Sequence, residues 1–137
     1  MGEVRVRAKL TNAADEGLAR RGQIPREEVR TYDADALVDT GAVRSVIPIQ
    51  VVEQLGLAIR GHRLAEYADG RKDTVGITEA VIVDLMGRDT MKEALVLGDE
   101  VIIGHTVLAK LDVFVDMTNR RVVPNPAHPD QPVSKVK

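Results

Sequence analysis

Cysteine and tryptophan are absent from this chain, and phenylalanine occurs once. Without a thiol there can be no disulfide, no thiolate zinc site and no Cys nucleophile, which agrees with a reducing compartment. Aromatic side chains are confined to Tyr32, Tyr67 and Phe114. The core must therefore come from Val, Ile, Leu and Ala, and a stacking platform for nucleobases is lacking. Charge of one sign is also lacking: 19 Lys and Arg against 21 Asp and Glu leave a net charge of -2 with the signs interspersed. No basic stripe addresses phosphate or anionic lipid, so neither nucleic acid nor a membrane is an expected partner. No apolar run approaches the roughly 20 residues of a membrane-spanning helix. The start of the chain alternates Val4 and Val6 with Arg5 and Arg7 instead of showing a charged head and a long apolar stretch, which excludes a secretory signal, and Val6 stands where the myristoylation pattern needs Ser or Thr. A cytoplasmic location is the resulting expectation. His62, His105 and His128 are scattered without metal-ligand spacing, so neither metal nor cofactor is expected.

What remains is one domain of short strands. A chain of 137 residues can bury one core and little more. Val4, Val6, Ala8 and Leu10 alternate with Arg5, Arg7 and Lys9 as a half-buried strand does. Asn12 to Gly22 reads either as a short helix capped by Asn12 or as a loop. A second strand extends from Glu28 through Tyr32 to Val38. Pro48 before Ile49 to Leu55, with Gly56 after it, marks a short helix. Arg63 to Tyr67 and Lys72 to Val83 flank Ala68-Asp69-Gly70-Arg71, a hairpin signal. Met91 to Leu97 and Val101 to Gly104 read as strands, Thr106 to Leu111 as a helix with Thr106 as cap, and Val113 to Asp116 and Arg121 to Val123 as two short extended pieces. The predicted domain covers 1–123. From Pro124 three prolines precede residue 130, so 124–137 is expected to be an extended or disordered tail. Many short strands with few helices predict an all-β barrel or sandwich.

The segment with chemical content is Ala36 to Pro48. The apolar run Ala36-Leu37-Val38 breaks into Asp39-Thr40-Gly41. Asp is depleted from strand interiors, and Gly lets another backbone come close, so a strand end here presents one carboxyl group that is partly desolvated yet reachable. Asp-Thr-Gly is also ordinary turn material, in which Asp bonds its own backbone. The order of the surrounding parts separates the two readings.

Asp39-Thr40-Gly41-Ala42 after an apolar strand, then Ser45-Val46-Ile47-Pro48, then the Asp69-Gly70 hairpin, then Ile102-Ile103-Gly104 before a helix, resembles the retropepsin-like aspartic proteases, single-domain relatives of pepsin. The likeness spans roughly Val29 to Val123. It implies an acid-protease barrel with a flap hairpin and one or two short helices. It further implies that Asp39 is catalytic, that Thr40 braces the loop against its counterpart in a second chain, and that Gly41 and Ala42 support the loop, with Gly41 meeting the substrate backbone. Tyr67, Ala68, Asp69 and Gly70 would form the flap, and Ile103 and Gly104 the second supporting loop. Members of this size hold half a site, so a homodimer acting on peptide or protein substrate is implied. Val43 and His105 stand where retroviral members place a paired Asp and Arg, so that ionic brace is missing here, and Thr106 replaces the usual Asp or Asn.

Two other readings bear on function. Asp33-Ala34-Asp35 is similar to the Asp-x-Asp loop of phosphotransferases with an aspartyl nucleophile, but no apolar strand precedes Asp33 and the alternating βα pattern is absent. These carboxylates fit solvent-facing strand positions. A catalytically inactive barrel of the same fold, dimeric and serving peptide binding or assembly, is the alternative to the aspartic endopeptidase. Tyr67 fits either a flap tyrosine or a packed strand residue, and His105 beside Gly104 fits a hydrogen-bonded structural histidine.

Overall fold

The computed structural model describes residues 3–136. The alternating N-terminal pattern becomes β1 (Val4–Asn12), with Val4, Ala8 and Leu10 buried and Arg5, Arg7 and Lys9 exposed. β2 (Thr31–Val38) runs antiparallel to it, in a register that sets Arg7 opposite Asp35 and Lys9 opposite Asp33. Opposite charges facing each other across a ladder stabilise the solvated side of a sheet. Asp33 and Asp35 are accordingly exposed strand charges.

Between these strands lies α1 (Ala13–Arg20), so the segment after Asn12 is a helix. The Asn12 side-chain oxygen accepts the Asp15 backbone N–H at 3.0 Å, which satisfies one of the orphan donors of the first turn. The Asn12 amide donates to the Leu55 carbonyl at 2.7 Å and ties the start of α1 to the end of α2 (Ile49–Leu55). Arg30 grips the Asp15 carboxylate at 2.8 and 2.9 Å. Gly56 closes α2 in the left-handed region, φ 63°, where a side chain is disfavoured.

β3 (Val46–Ile47) precedes α2; β4 (Ile59–Glu66) and β5 (Lys72–Thr78) form one hairpin, and β6 (Val81–Leu85) and β7 (Arg88–Lys92) another. The run expected from Met91 to Leu97 divides into β7 and β8 (Leu95–Val96), because Ala94 crosses from one part of the sheet to another. There its N–H donates to the Thr78 hydroxyl and its carbonyl accepts the Thr78 N–H, at 3.0 and 2.9 Å. β9 (Ile102–Ile103), α3 (His105–Leu111), β10 (Val113–Asp116) and β11 (Arg121–Pro124) complete the chain. Nine strands curl into one sheet in the order β4-β5-β8-β3-β9-β2-β1-β6-β7, and β10 and β11 pair separately. Leu10, Leu55, Ile77, Leu85, Ile103 and Leu111 fill the interior, an aliphatic core as the scarcity of aromatics requires. Among the described residues no helix is long and apolar enough to cross a membrane.

The helix after β9 starts one residue earlier than expected, with Gly104 as its cap instead of Thr106. Residues 125–136 carry no helix or strand, but residues 125–133 are tethered. Asp112 accepts the Asn125 amide at 2.9 Å, the His128 ring at 2.6 Å and the Val133 N–H at 3.0 Å. Buried Arg88 donates to the carbonyls of Leu111, Asp112 and His128. His128 is thus half-buried in this clasp. Met1 and Gly2, where the myristoylation pattern was weighed, and Lys137 at the end of the expected tail lie outside the described residues.

Candidate active site

β2 and β9 run parallel, Leu37 beside Ile102 and Val38 beside Ile103, and both end at the same level. Asp39 therefore leaves the sheet next to Gly104, and its backbone N–H donates to the Ile103 carbonyl at 3.0 Å. The chain turns at once: the Ala42 N–H donates to the Asp39 carbonyl at 3.2 Å, and the Gly41 N–H donates to Asp39 Oδ1 at 2.9 Å. This is the self-bonded Asp of a turn, yet its carboxylate is not spent on the turn. Among the described residues Oδ2 accepts no hydrogen bond and Asp39 joins no ion pair.

The returning half of the loop is stitched to the start of α3. The Ala42 carbonyl accepts the His105 N–H at 2.7 Å, and the Val43 carbonyl accepts both the Thr106 N–H at 3.3 Å and the Thr106 hydroxyl at 2.8 Å. Ser45 Oγ, buried, accepts the Gly104 N–H at 3.0 Å. These neutral bonds hold Val43 and α3 together at the two positions where an Asp–Arg pair was missing from the sequence. Thr106 and Ser45 carry this role, and the motif reading did not assign it to them. Each is a small hydroxyl residue beside a glycine or a turn, the one sequence signal available. The His105 side chain is exposed and forms no hydrogen bond among the described residues, contrary to the structural role expected of it; the contact with the loop belongs to its backbone.

Asp39 lies on the floor of a cleft of about 670 Å³ that also includes Gly41, Ala42 and Val43. The β4–β5 hairpin forms the opposite wall through Leu64, Ala65, Glu66, Tyr67 and Ala68. At its tip the Gly70 N–H donates to the Tyr67 carbonyl at 2.9 Å and the Tyr67 N–H to the Arg71 carbonyl at 2.8 Å, with Gly70 at φ 84°. A three-residue loop with glycine in the left-handed position matches strand twist. Asp69 Oδ1 accepts the Arg71 N–H, and the Arg71 guanidinium stacks over the Tyr67 ring at 4.4 Å, so Tyr67 is half-buried by its own hairpin. Asp69 and Gly70 shape the tip without lining the cleft. Thr40 is exposed and makes no side-chain hydrogen bond among the described residues. Ile103 is buried in the core and Gly104 is buried under the loop. Sequence reasoning missed Arg44, Val46, Leu95 and Leu97, which also line the cleft. Among the described residues no group of three or more His, Asp or Glu is placed to hold a metal ion.

A curled sheet whose two parallel central strands end in an Asp-Thr-Gly loop and a Gly-capped helix, faced by a hairpin, is the retropepsin-like fold. The chain is similar to the crystal structure of the retroviral protease-like domain of Ddi1 from Leishmania major, with a TM-score of 0.58 and 18% sequence identity over 92% of this chain and 90% of that one. At this identity the likeness concerns the fold. No protein-family model and no curated protein matches the sequence.

Proposed function

We propose that this chain is an aspartic endopeptidase whose site is completed by a second copy, each copy contributing one Asp39. The observation that carries the reading is the Asp39 carboxylate itself: one oxygen is fixed by the Gly41 N–H, the other accepts no hydrogen bond among the described residues, and the residue lines the cleft that the hairpin faces. Two such carboxylates about 3 Å apart cannot both ionise, the situation that aspartic proteases themselves exemplify, so the pair keeps one proton. The ionised member takes a proton from a water as its oxygen attacks the peptide carbonyl carbon, and the protonated member gives its proton to the carbonyl oxygen. Collapse of the tetrahedral intermediate breaks the C–N bond, with the proton gained from water passing to the departing amine and one hydroxyl proton of the intermediate returning to the other Asp39 as the C=O bond re-forms. In this scheme Thr40, unpaired within its own chain, bonds its counterpart across the two-fold axis. Gly41 meets the substrate backbone, and the Tyr67 to Gly70 hairpin closes as the flap.

The test is cleavage of an unstructured peptide library at mildly acidic pH by wild type and Asp39→Asn. Loss of an acid–base group lowers the rate by about 10²–10⁴-fold. The variant is expected to lose cleavage on that scale while keeping its melting temperature, and a statine-type transition-state mimic is expected to block wild type. Equal cleavage by both proteins, or none by either, ends the proposal. The absent Val43–His105 ion pair keeps one second reading in view, a peptide-binding barrel without turnover, which predicts binding of the same library and no cutting by wild type.

A further inference from the structure

Arg44 stands in the cleft wall five residues after Asp39, and its guanidinium is underused. Among the described residues it donates no hydrogen bond. Its one ion pair is a long one, 3.8 Å to Glu93 Oε1, and the other Glu93 oxygen is already held by Arg60 at 2.6 Å. One carboxylate thus serves two guanidinium groups, closely for Arg60 and loosely for Arg44. The Arg44 side chain keeps 37% of its surface exposed, toward a cleft whose remaining wall is mostly aliphatic: Val43, Val46, Leu64, Leu95 and Leu97. The other charged side chains that line it are Asp39 and Glu66, the latter on the hairpin. An arginine presents a rigid fork of donors that matches a carboxylate, and it does so more strongly where aliphatic walls exclude water.

We propose that Arg44 selects polypeptide segments in which an acidic side chain neighbours an apolar one, the carboxylate taking the Arg44 fork and the apolar group resting on Leu64, Leu95 and Leu97. The inference rests on the proposed peptide-cleaving site and names its substrate class. In a two-fold assembly both copies bring an Arg44, so acidic residues are selected on both sides of the bound segment. Glu93 acts as competitor for the same guanidinium and sets how strongly substrate is preferred.

Paired peptides that differ only in Glu against Gln next to a leucine test this in two arms: equilibrium binding to the uncleaving Asp39→Asn protein, and kcat/KM on wild type. A charge-assisted bond predicts roughly tenfold or greater preference for the Glu peptide. Arg44→Gln is expected to abolish that preference, Arg44→Glu to turn it toward Lys peptides, and Glu93→Gln to increase it, with melting temperatures checking that each variant is folded. An unchanged Glu-to-Gln ratio in Arg44→Gln, or no peptide binding at all, overturns the inference. Acid-selective binding without cleavage by wild type sinks the endopeptidase and leaves Arg44 standing; cleavage without acid selectivity does the reverse.

Discussion

A methyl group on residue 104 would stand 2.7 Å from both the carbonyl carbon and the carbonyl oxygen of Arg44 and 2.8 Å from the Ala42 carbonyl oxygen. These are backbone atoms and cannot swing aside, so only glycine lets the Asp39 loop lie against the start of α3. Gly104→Ala is therefore expected to lower stability by about 1–3 kcal/mol, the usual cost of overfilling a packed site. In a melting experiment each kcal/mol corresponds to about 2–8 °C in this size range. Gly61→Ala is the control: its added carbon meets only Ile77 Cγ2 at an ordinary 3.6 Å, and its melting point is expected to stay near wild type. If both variants melt alike, the close approach is not what residue 104 provides. Sequence reasoning reached Gly104 through the Ile-Ile-Gly pattern, since a glycine ending an apolar strand announces itself. Ser45, Thr106 and Arg44 were less legible, because their roles depend on which backbone atoms the fold brings within 3 Å, and no local pattern encodes that.

Period-two alternation carried β1, Pro48 and Gly56 bracketed α2, and Asp69-Gly70 marked the β4–β5 hairpin; each element is specified by its own residues. Where specification is non-local, the reading lost resolution. Thr78 and Ala94 split the strand expected from Met91 to Leu97, and the cap of α3 fell on Gly104 because Thr106 turns its hydroxyl to Val43 instead. The end of α3 shows the same dependence. Asp112 sits there at φ 57°, and its carboxyl is drawn down to about 2 from 3.8 by the Asn125 amide first, then by the Val133 N–H and the His128 ring. Because the folded value lies below the unfolded one, this clasp stabilises fully above the unfolded value and is lost as pH falls toward about 2. Asp112→Asn removes the charge without backbone strain, since Asn tolerates the left-handed region. Melting curves of both proteins are expected to differ by a constant amount above about pH 5 and to converge as the pH drops to about 2. A gap that ignores pH would remove the Asp112 carboxylate from the anchoring of residues 125–133.

At the scale of the whole molecule the chain leaves apolar and polar groups uncovered around the cleft. Val43 is 69% exposed and Leu64 66% exposed at the cleft, and the Asp39 carboxylate and Thr40 hydroxyl face outward beside them. The fold was legible from the order of its motifs, because an Asp-Thr-Gly loop, a hairpin and a Gly-capped helix need one another in space. Under the proposed function, what pairs with the loop belongs to a second chain, which no pattern within one sequence records. Under the proposed function each productive site uses two Asp39 residues, so chains mixed at random obey pairing statistics. With wild type held constant, one equivalent of Asp39→Asn is expected to halve cleavage and three equivalents to leave about a quarter, since the variant sequesters wild-type chains in dimers that lack one carboxylate. Dilution is expected to lower specific activity more steeply than a one-chain site allows, in step with the dimer fraction seen by sedimentation. Should added Asp39→Asn leave cleavage unchanged at every ratio after full subunit exchange, each chain works alone, and a mechanism built on two shared carboxylates cannot be the one in use.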